Sequence, residues 1–153
     1  VEDENDVSRN WEQLKLKEKG RNKRVLEGVP AALPAMVKAF RIQDKARGVG
    51  FDWKQKEDVW AKVREEIEEV QAELGKSDEN ALEEEFGDLL FPLVNAARLD
   101  GIIPENALEK TNRKFIHRFN YVEEQALASG RTLPELTLEE MDGYWERAKE
   151  LDS

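Results

Sequence analysis

Lys62-Val63-Arg64-Glu65-Glu66-Ile67-Glu68-Glu69-Val70 and, beyond a glycine at position 75, Glu83-Glu84-Glu85-Phe86-Gly87-Asp88-Leu89 decide how this chain reads. Both stretches are dominated by strong helix formers. Within them, Glu66 and Glu69 are three residues apart, as are Glu85 and Asp88. Residues at that spacing share one helix face, so each pair projects to one side. If the two helices pack antiparallel, four carboxylates meet. Four like charges converge only around a cation, because their repulsion grows as water is excluded. Hard oxygen ligands of this kind suit Mg²⁺, with Mn²⁺ as the alternative.

The apolar spacing around these clusters predicts an all-α protein, a bundle of four to five helices. One helix opens at Pro34 and ends at Gly48, and a second runs over 56–74 with Val59, Val63, Ile67, Val70 and Leu74 as its core stripe. A third runs over 79–99 behind a Ser77-Asp78 cap, with Leu82, Phe86, Leu89, Leu93 and Ala97 inside. The fourth opens at Pro104 and carries Leu108, Phe115, Phe119, Val122 and Ala126; the last follows the capping box Thr137-Leu138-Glu139-Glu140. No stretch alternates with period two, so no sheet is expected. The short connections between the middle helices favour antiparallel neighbours. Residues 1–28 are polar and weakly periodic and read as a linker or tail with a short helix; the domain proper is expected over 29–153. A first residue Val1 in place of Met suggests a piece of a longer protein.

Projected on a helix, Glu66 lies at the edge of its apolar stripe with Glu69 just beyond, while Glu68 faces solvent. Glu85 borders the stripe of the next helix, and Asp88, Pro92 and Asn95 continue down that flank. Most glutamates in so acidic a chain are solvated surface residues. A paired arrangement on two consecutive helices is harder to explain that way, since charge beside a buried face is costly. Pro92 removes the hydrogen bond that the carbonyl of Asp88 would accept, and with Gly87 it suggests a kink there.

Composition narrows the chemistry. The 153 residues carry a formal net charge of −10, which argues against nucleic-acid or anionic-membrane binding. There are no cysteines and one histidine, His117, so disulfides, thiol nucleophiles and multi-histidine metal sites are excluded. No apolar run has the length of a membrane span and no signal-peptide pattern is present, so a cytoplasmic location is expected. Lys114 and Arg118 are four apart and flank Phe115 and Phe119, and Trp145 and Lys149 are four apart on the last helix. Beside a metal–carboxylate cluster these cations suit a polyphosphate, with Arg118 gripping it bidentately. Phe51, Trp53 and Trp145 read first as core and second as a stacking surface for a base. No phosphate-binding glycine loop and no nucleophilic triad are present, which leaves water as the nucleophile.

The pattern Glu65-Glu66-x-x-Glu69 followed by Glu85-x-x-Asp88 resembles the signature of the all-α nucleoside triphosphate pyrophosphohydrolases. Within them, Val49-Gly50-Phe51-Asp52-Trp53, Lys62-Val63-x-Glu65-Glu66, Glu84-Glu85-Phe86-Gly87-Asp88, Asn112-x-Lys114-Phe115-x-x-Arg118-Phe119 and Met141-x-x-x-Trp145 are similar to MazG, its C-terminal domain in particular. The resemblance implies Mg²⁺-dependent hydrolysis of NTPs and dNTPs to the monophosphate and pyrophosphate, by water attack on the α-phosphate, in a homodimer. It makes Glu66, Glu69, Glu85 and Asp88 metal ligands and places Lys114, Arg118, Trp145 and Lys149 at the nucleotide. Glu65, Glu66 and Glu69 become the catalytic carboxylates, with Glu65 or Glu69 taking the proton of the water. Pro92 departs from the family's pattern, which has a helix former there. Two rival readings stand beside this one. The first is a sibling enzyme on the same scaffold, dUTPase-like or a phosphoribosyl-ATP pyrophosphohydrolase. The second is a non-catalytic acidic helical module for a basic partner.

Overall fold

A computed structural model describes residues 4–18 and 23–153. The chain divides into two units, Val1–Glu105 and Asn106–Ser153. Among the described residues there are six α-helices, one short 3₁₀ turn and no strand. That is more than the four to five helices expected. The additional element is α1, Glu4–Glu18, in what reads as tail; residues 1–3 and 19–22 of that tail lie outside the described residues. Its periodicity is weak, but it holds neither glycine nor proline and it gains a partner in α2, Ala35–Gly48. Tertiary support rather than propensity makes such a helix. Gly48 is where the two come close: a Cβ there would stand 2.6 Å from Cγ of Glu12.

In the N-terminal unit the most extensive pairing is between α3, Lys56–Glu73, and α4, Glu79–Leu99. Gly75, with φ +83°, turns the chain between them in a conformation that glycine adopts without strain. Asp78 caps α4, its side chain accepting from Ala81 N at 3.0 Å. The buried faces differ from the expected stripes. Along α3 the buried residues are Val59, Val63, Glu66 and Val70, while Ile67 is 40% exposed and Leu74 is exposed at the helix end. A carboxylate thus takes the place in the stripe that the apolar pattern assigned to isoleucine. Along α4 the buried set is Pro92, Val94, Asn95, Ala96 and Arg98, whereas Phe86 and Leu93 are exposed. Both helices are rotated relative to the simple apolar projection, because α3 and α4 meet around polar residues that a hydrophobicity pattern counts as surface. Pro92 sits inside an uninterrupted α4.

The C-terminal unit holds most of α5, Pro104–Ala128, then the 3₁₀ turn Leu133–Glu135 and α6, Leu138–Asp152. Val122 and Ala126 of α5, Leu136, and Ala148 of α6 are buried. Leu108, Phe115 and Phe119, expected inside, are exposed. The capping box at α6 is formed as the sequence predicts: Glu140 N donates to Thr137 Oγ1, and Thr137 N donates to Glu140 Oε1, both at 3.1 Å. The Arg131 guanidinium also donates to both carboxylate oxygens of Glu140.

Arg131, and after it the backbone of Thr137, lower the Glu140 carboxyl from its ordinary 4.5 to about 2. A depressed folded pKa stabilises the fold fully above the unfolded value and loses that contribution as pH falls through the folded one. NMR titration should therefore place the Glu140 carboxyl near about 2, with α6 loosening as the pH drops from 4.5 towards it. Arg131→Ala should return the carboxyl towards the ordinary range and remove that part of the acid dependence.

Candidate metal and nucleotide site

The site begins with the four-residue spacing of Lys62 and Glu66 on α3. Their side chains pair at 2.9 Å, and Lys62 Nζ is also 3.6 Å from Glu65. Glu66 is only 7% exposed. A buried carboxylate without a partner would be strongly destabilising, and Lys62 is the group that makes this position tolerable. The hydrogen bond to Glu66, more than the charge of Glu65, raises the Lys62 pKa.

Oxygens of Glu66, Glu85 and Asp88 lie within 4.8 Å of one another. Two come from one turn of α4 and the third from the facing α3. Partial burial, then the charges of Glu69, Asp88, Glu66 and Glu73, push the Glu85 carboxyl above its ordinary value of 4.5. The group is held in a field that disfavours its own ionisation, which is the signature of a site short of positive charge. Three hard oxygen donors at this separation fit a divalent cation such as Mg²⁺ or Mn²⁺, and no soft donor is near to favour another metal. Glu69 and Glu65 are exposed on α3, and Glu69 acts on Glu85 through its charge.

Two of these carboxylates, Glu66 and Asp88, border a cavity of about 760 Å³ in the N-terminal unit. Glu66, Asp88 and Lys62 line it at one part; Phe51, Trp53, Ile42, Phe91 and Pro92 supply apolar wall. Phe51, read first as core, is 81% exposed. The loop that carries it leaves α2 through Gly50, at φ +92°, with Phe51 N donating back to Ala46 O at 3.0 Å. Asp52 then fixes the loop: its Oδ1 accepts from Trp53 N at 2.8 Å and from Arg98 Nη2 at 2.6 Å. Arg98 is buried and also donates to Asn95 Oδ1, from Nε at 2.9 Å and from Nη2 at 2.7 Å. Asp52, Arg98 and Gln43 were given no site role by sequence reasoning. The available signal was an arginine and an asparagine three apart in the most apolar helix, where unpaired polar groups are costly.

Lys114, Arg118, Trp145 and Lys149 belong to the C-terminal unit. Within it Arg118 and Trp145 are brought together, the guanidinium carbon 5.9 Å from the indole centroid. Phe115 packs against both Trp145 and Phe119, with centroids 5.1 and 6.0 Å away. Arg118 Nε donates to Asp152 Oδ2 at 2.9 Å, and that contact, followed by His117, lowers the Asp152 carboxyl. Lys114 stands exposed on α5, and Lys149 is 3.6 Å from Glu146.

Because burial and neighbouring carboxylates raise the Glu85 pKa, its ionisation at neutral pH works against the fold, and a cation held there would offset that effect. Adding Mg²⁺ should raise the melting temperature at neutral pH. Calorimetry in buffers of different ionisation enthalpy should show proton release on metal uptake as the pH is lowered towards the carboxylate range, and the thermal shift should fade there.

Comparison with known proteins finds relatives along most of the chain. Residues 54–123, which contain α3, α4 and most of α5, match the family model of the MazG nucleotide pyrophosphohydrolase domain. The chain is 46% identical over 140 residues to the nucleoside triphosphate pyrophosphohydrolase/pyrophosphatase MazG of Thermotoga maritima, covering 91% of this chain and 54% of that protein. It is 41% identical over 153 residues to the nucleoside triphosphate pyrophosphohydrolase of Escherichia coli K12, covering 97% of this chain and 58% of the relative. It is also 48% identical to the uncharacterized protein YabN of Bacillus subtilis, over 99% of this chain and 32% of that protein. The chain thus spans about half the length of the first two relatives. The segment 54–123 thus matches the MazG nucleotide pyrophosphohydrolase domain, and most of the chain is similar to proteins that bear that name or activity.

Proposed function

We propose that this chain hydrolyses nucleoside triphosphates, ribo- and deoxyribo-, to the monophosphate and pyrophosphate with Mg²⁺ as cofactor. The observation that carries the reading is the meeting of Glu66, Glu85 and Asp88 from two helices beside a large, largely apolar cavity. Names of relatives containing the same activity support it. Glu66, Glu85 and Asp88, with Glu69, are the residues that would hold the cation. Bound there, Mg²⁺ supplies charge neutralisation for the phosphates and a lower pKa for water.

The chain's own residues account for the rest. Water oxygen bonds to the α-phosphorus, the bridge from α- to β-phosphate breaks, and pyrophosphate departs with the bridging oxygen. Glu65 or Glu69, both exposed on α3, accepts the proton that the water loses. Lys62, paired with Glu66, lines the cavity and places a positive charge at its edge. Lys114, Arg118 and Lys149, within the C-terminal unit, have the charge to bind phosphate oxygens, and Trp145 offers an aromatic face there. The catalytic domain spans 29–153, and residues 1–28 are a linker or tail that carries a helix.

Release of pyrophosphate from a panel of NTPs and dNTPs, with Mg²⁺ and with chelator, tests the reading. Turnover should vanish with chelator, and Glu66→Gln and Asp88→Asn should each lower kcat by at least about a hundredfold, while circular dichroism retains the helices. Wild-type protein that yields no pyrophosphate from any nucleotide would overturn the assignment.

A homodimer is the second part of the proposal. Phe86, Leu90 and Leu93 are exposed along α4 at positions sharing a helix face, an apolar surface of the kind that a partner covers. Light scattering should give twice the 17.7 kDa chain mass, and Leu90→Glu should shift it towards the monomer. The candidate cation site itself lies within one chain. Among the described residues no helix is long and apolar enough to cross a membrane.

A further inference from the structure

Gln43 stands out among the groups that the proposed chemistry does not use. It lies on α2, lines the cavity beside the carboxylates, and is only 5% exposed. Its Nε2 donates to the backbone carbonyl of Phe91 at 2.9 Å. A carbonyl offers only lone pairs, so that contact fixes which end of the amide is nitrogen. Oε1 is thereby left as an acceptor, and it is the buried side-chain atom without a hydrogen-bond partner among the described residues. Buried acceptors are nearly always satisfied, and an exception in a cavity wall calls for a donor that arrives from elsewhere.

The cavity says what kind of donor. Trp53, Phe51, Phe91 and Pro92 give flat apolar wall suited to a heteroaromatic ring, while Glu66 and Asp88 line the same cavity at the cation site. A nucleotide with its phosphates at the carboxylates therefore has room for its base in the same space. Two nitrogens of the cavity's arginine are already engaged: Arg98 directs Nε and Nη2 to Asn95 and Asp52. Lys62 is likewise held by Glu66. Acceptors are thus in surplus, a polarity that welcomes an N–H and repels a base carbonyl. A ring imino N–H is flanked by a carbonyl, which would approach the recessed Oε1 with its own lone pairs. An exocyclic amino group projects from the ring and reaches such a recess without that conflict.

Resting on the nucleotide reading above, we propose that Gln43 is a specificity-determining acceptor for the exocyclic amino group of the base, so that this cavity selects amino-bearing over keto-only bases. A keto oxygen in the same place leaves two acceptors facing each other with no proton between them, the arrangement that polar sites discriminate against most strongly.

Two matched pairs test this, CTP against UTP and ATP against ITP, each pair differing at the amino position. Selectivity is read both as kcat/KM for pyrophosphate release and as the affinity ratio by calorimetry with Mg²⁺, so that it is visible even in a protein without turnover. The wild-type chain should prefer the amino member of each pair by about ten- to a hundredfold, and Gln43→Met should bring both ratios close to one. Wild-type ratios within about twofold, or ratios that survive in Gln43→Met, would overturn the proposal. The wild-type comparison decides the matter alone if the variant does not fold. An affinity ratio without pyrophosphate release would sink the hydrolytic reading and leave the role of Gln43 standing.

Discussion

Burial of the Glu66 carboxylate in the apolar face of α3 is the constraint on which the site is built. Val59, Val63 and Val70 surround it in the stripe, and a leucine or isoleucine there would pack without electrostatic cost. The carboxylate is retained beside Lys62, whose ammonium offsets the loss of hydration. That pair fixes Glu66 towards α4, where Glu85 and Asp88 complete a set of oxygens too close to be comfortable without a cation. Like charges are therefore crowded at one place in the fold, and a cation bound there would offset their repulsion. Specificity for a hard divalent ion follows from the donor chemistry alone.

A second polar assembly holds the cavity open on its other side. Arg98, buried near the end of α4, reaches back to Asp52 and so ties the loop after α2 to the helix that carries Asp88. Asn95 completes the coordination of the guanidinium from within the same helix. Such a network is rigid when satisfied and costly when broken. It lets Phe51 and Trp53 stand at the cavity wall, outside the core, on a loop whose position is nonetheless determined. Gln43 adds a third tie between α2 and α4 through the carbonyl of Phe91, one residue before the proline. Pro92 is consequently part of a buried wall that α2 braces, which fits its place inside an unbroken helix.

In the C-terminal unit the same residue types serve a different arrangement. Arg118 lies over Trp145 and bonds Asp152, while Phe115 and Phe119 present much of their surface to solvent. Aromatic side chains beside an arginine form a surface with both an apolar and a cationic character, which is what a nucleotide or a protein partner would use.

The sequence by itself determined the helices and the kind of chemistry. The starts at Asp78 and Thr137 and the turn at Gly75 are written in local capping and backbone preferences, which depend only on neighbours in the chain. The spacing of Glu66, Glu85 and Asp88 on strong helix formers announced carboxylates that meet, and the motif order announced the likeness to MazG. Which face each helix buries was decided by tertiary structure. Apolar periodicity favoured Ile67 over Glu66 and Phe86 over Asn95, because it weighs side chains one at a time and cannot see a charge pair or an arginine network that makes polar burial affordable. The helix over 4–18 was expected only as a short one in a tail, and its docking was hidden for the matching reason: its support comes from α2, distant in sequence. Cavity, orphan acceptor and carboxylate cluster all arise from side chains tens of residues apart, and only packing brings such groups within hydrogen-bonding range.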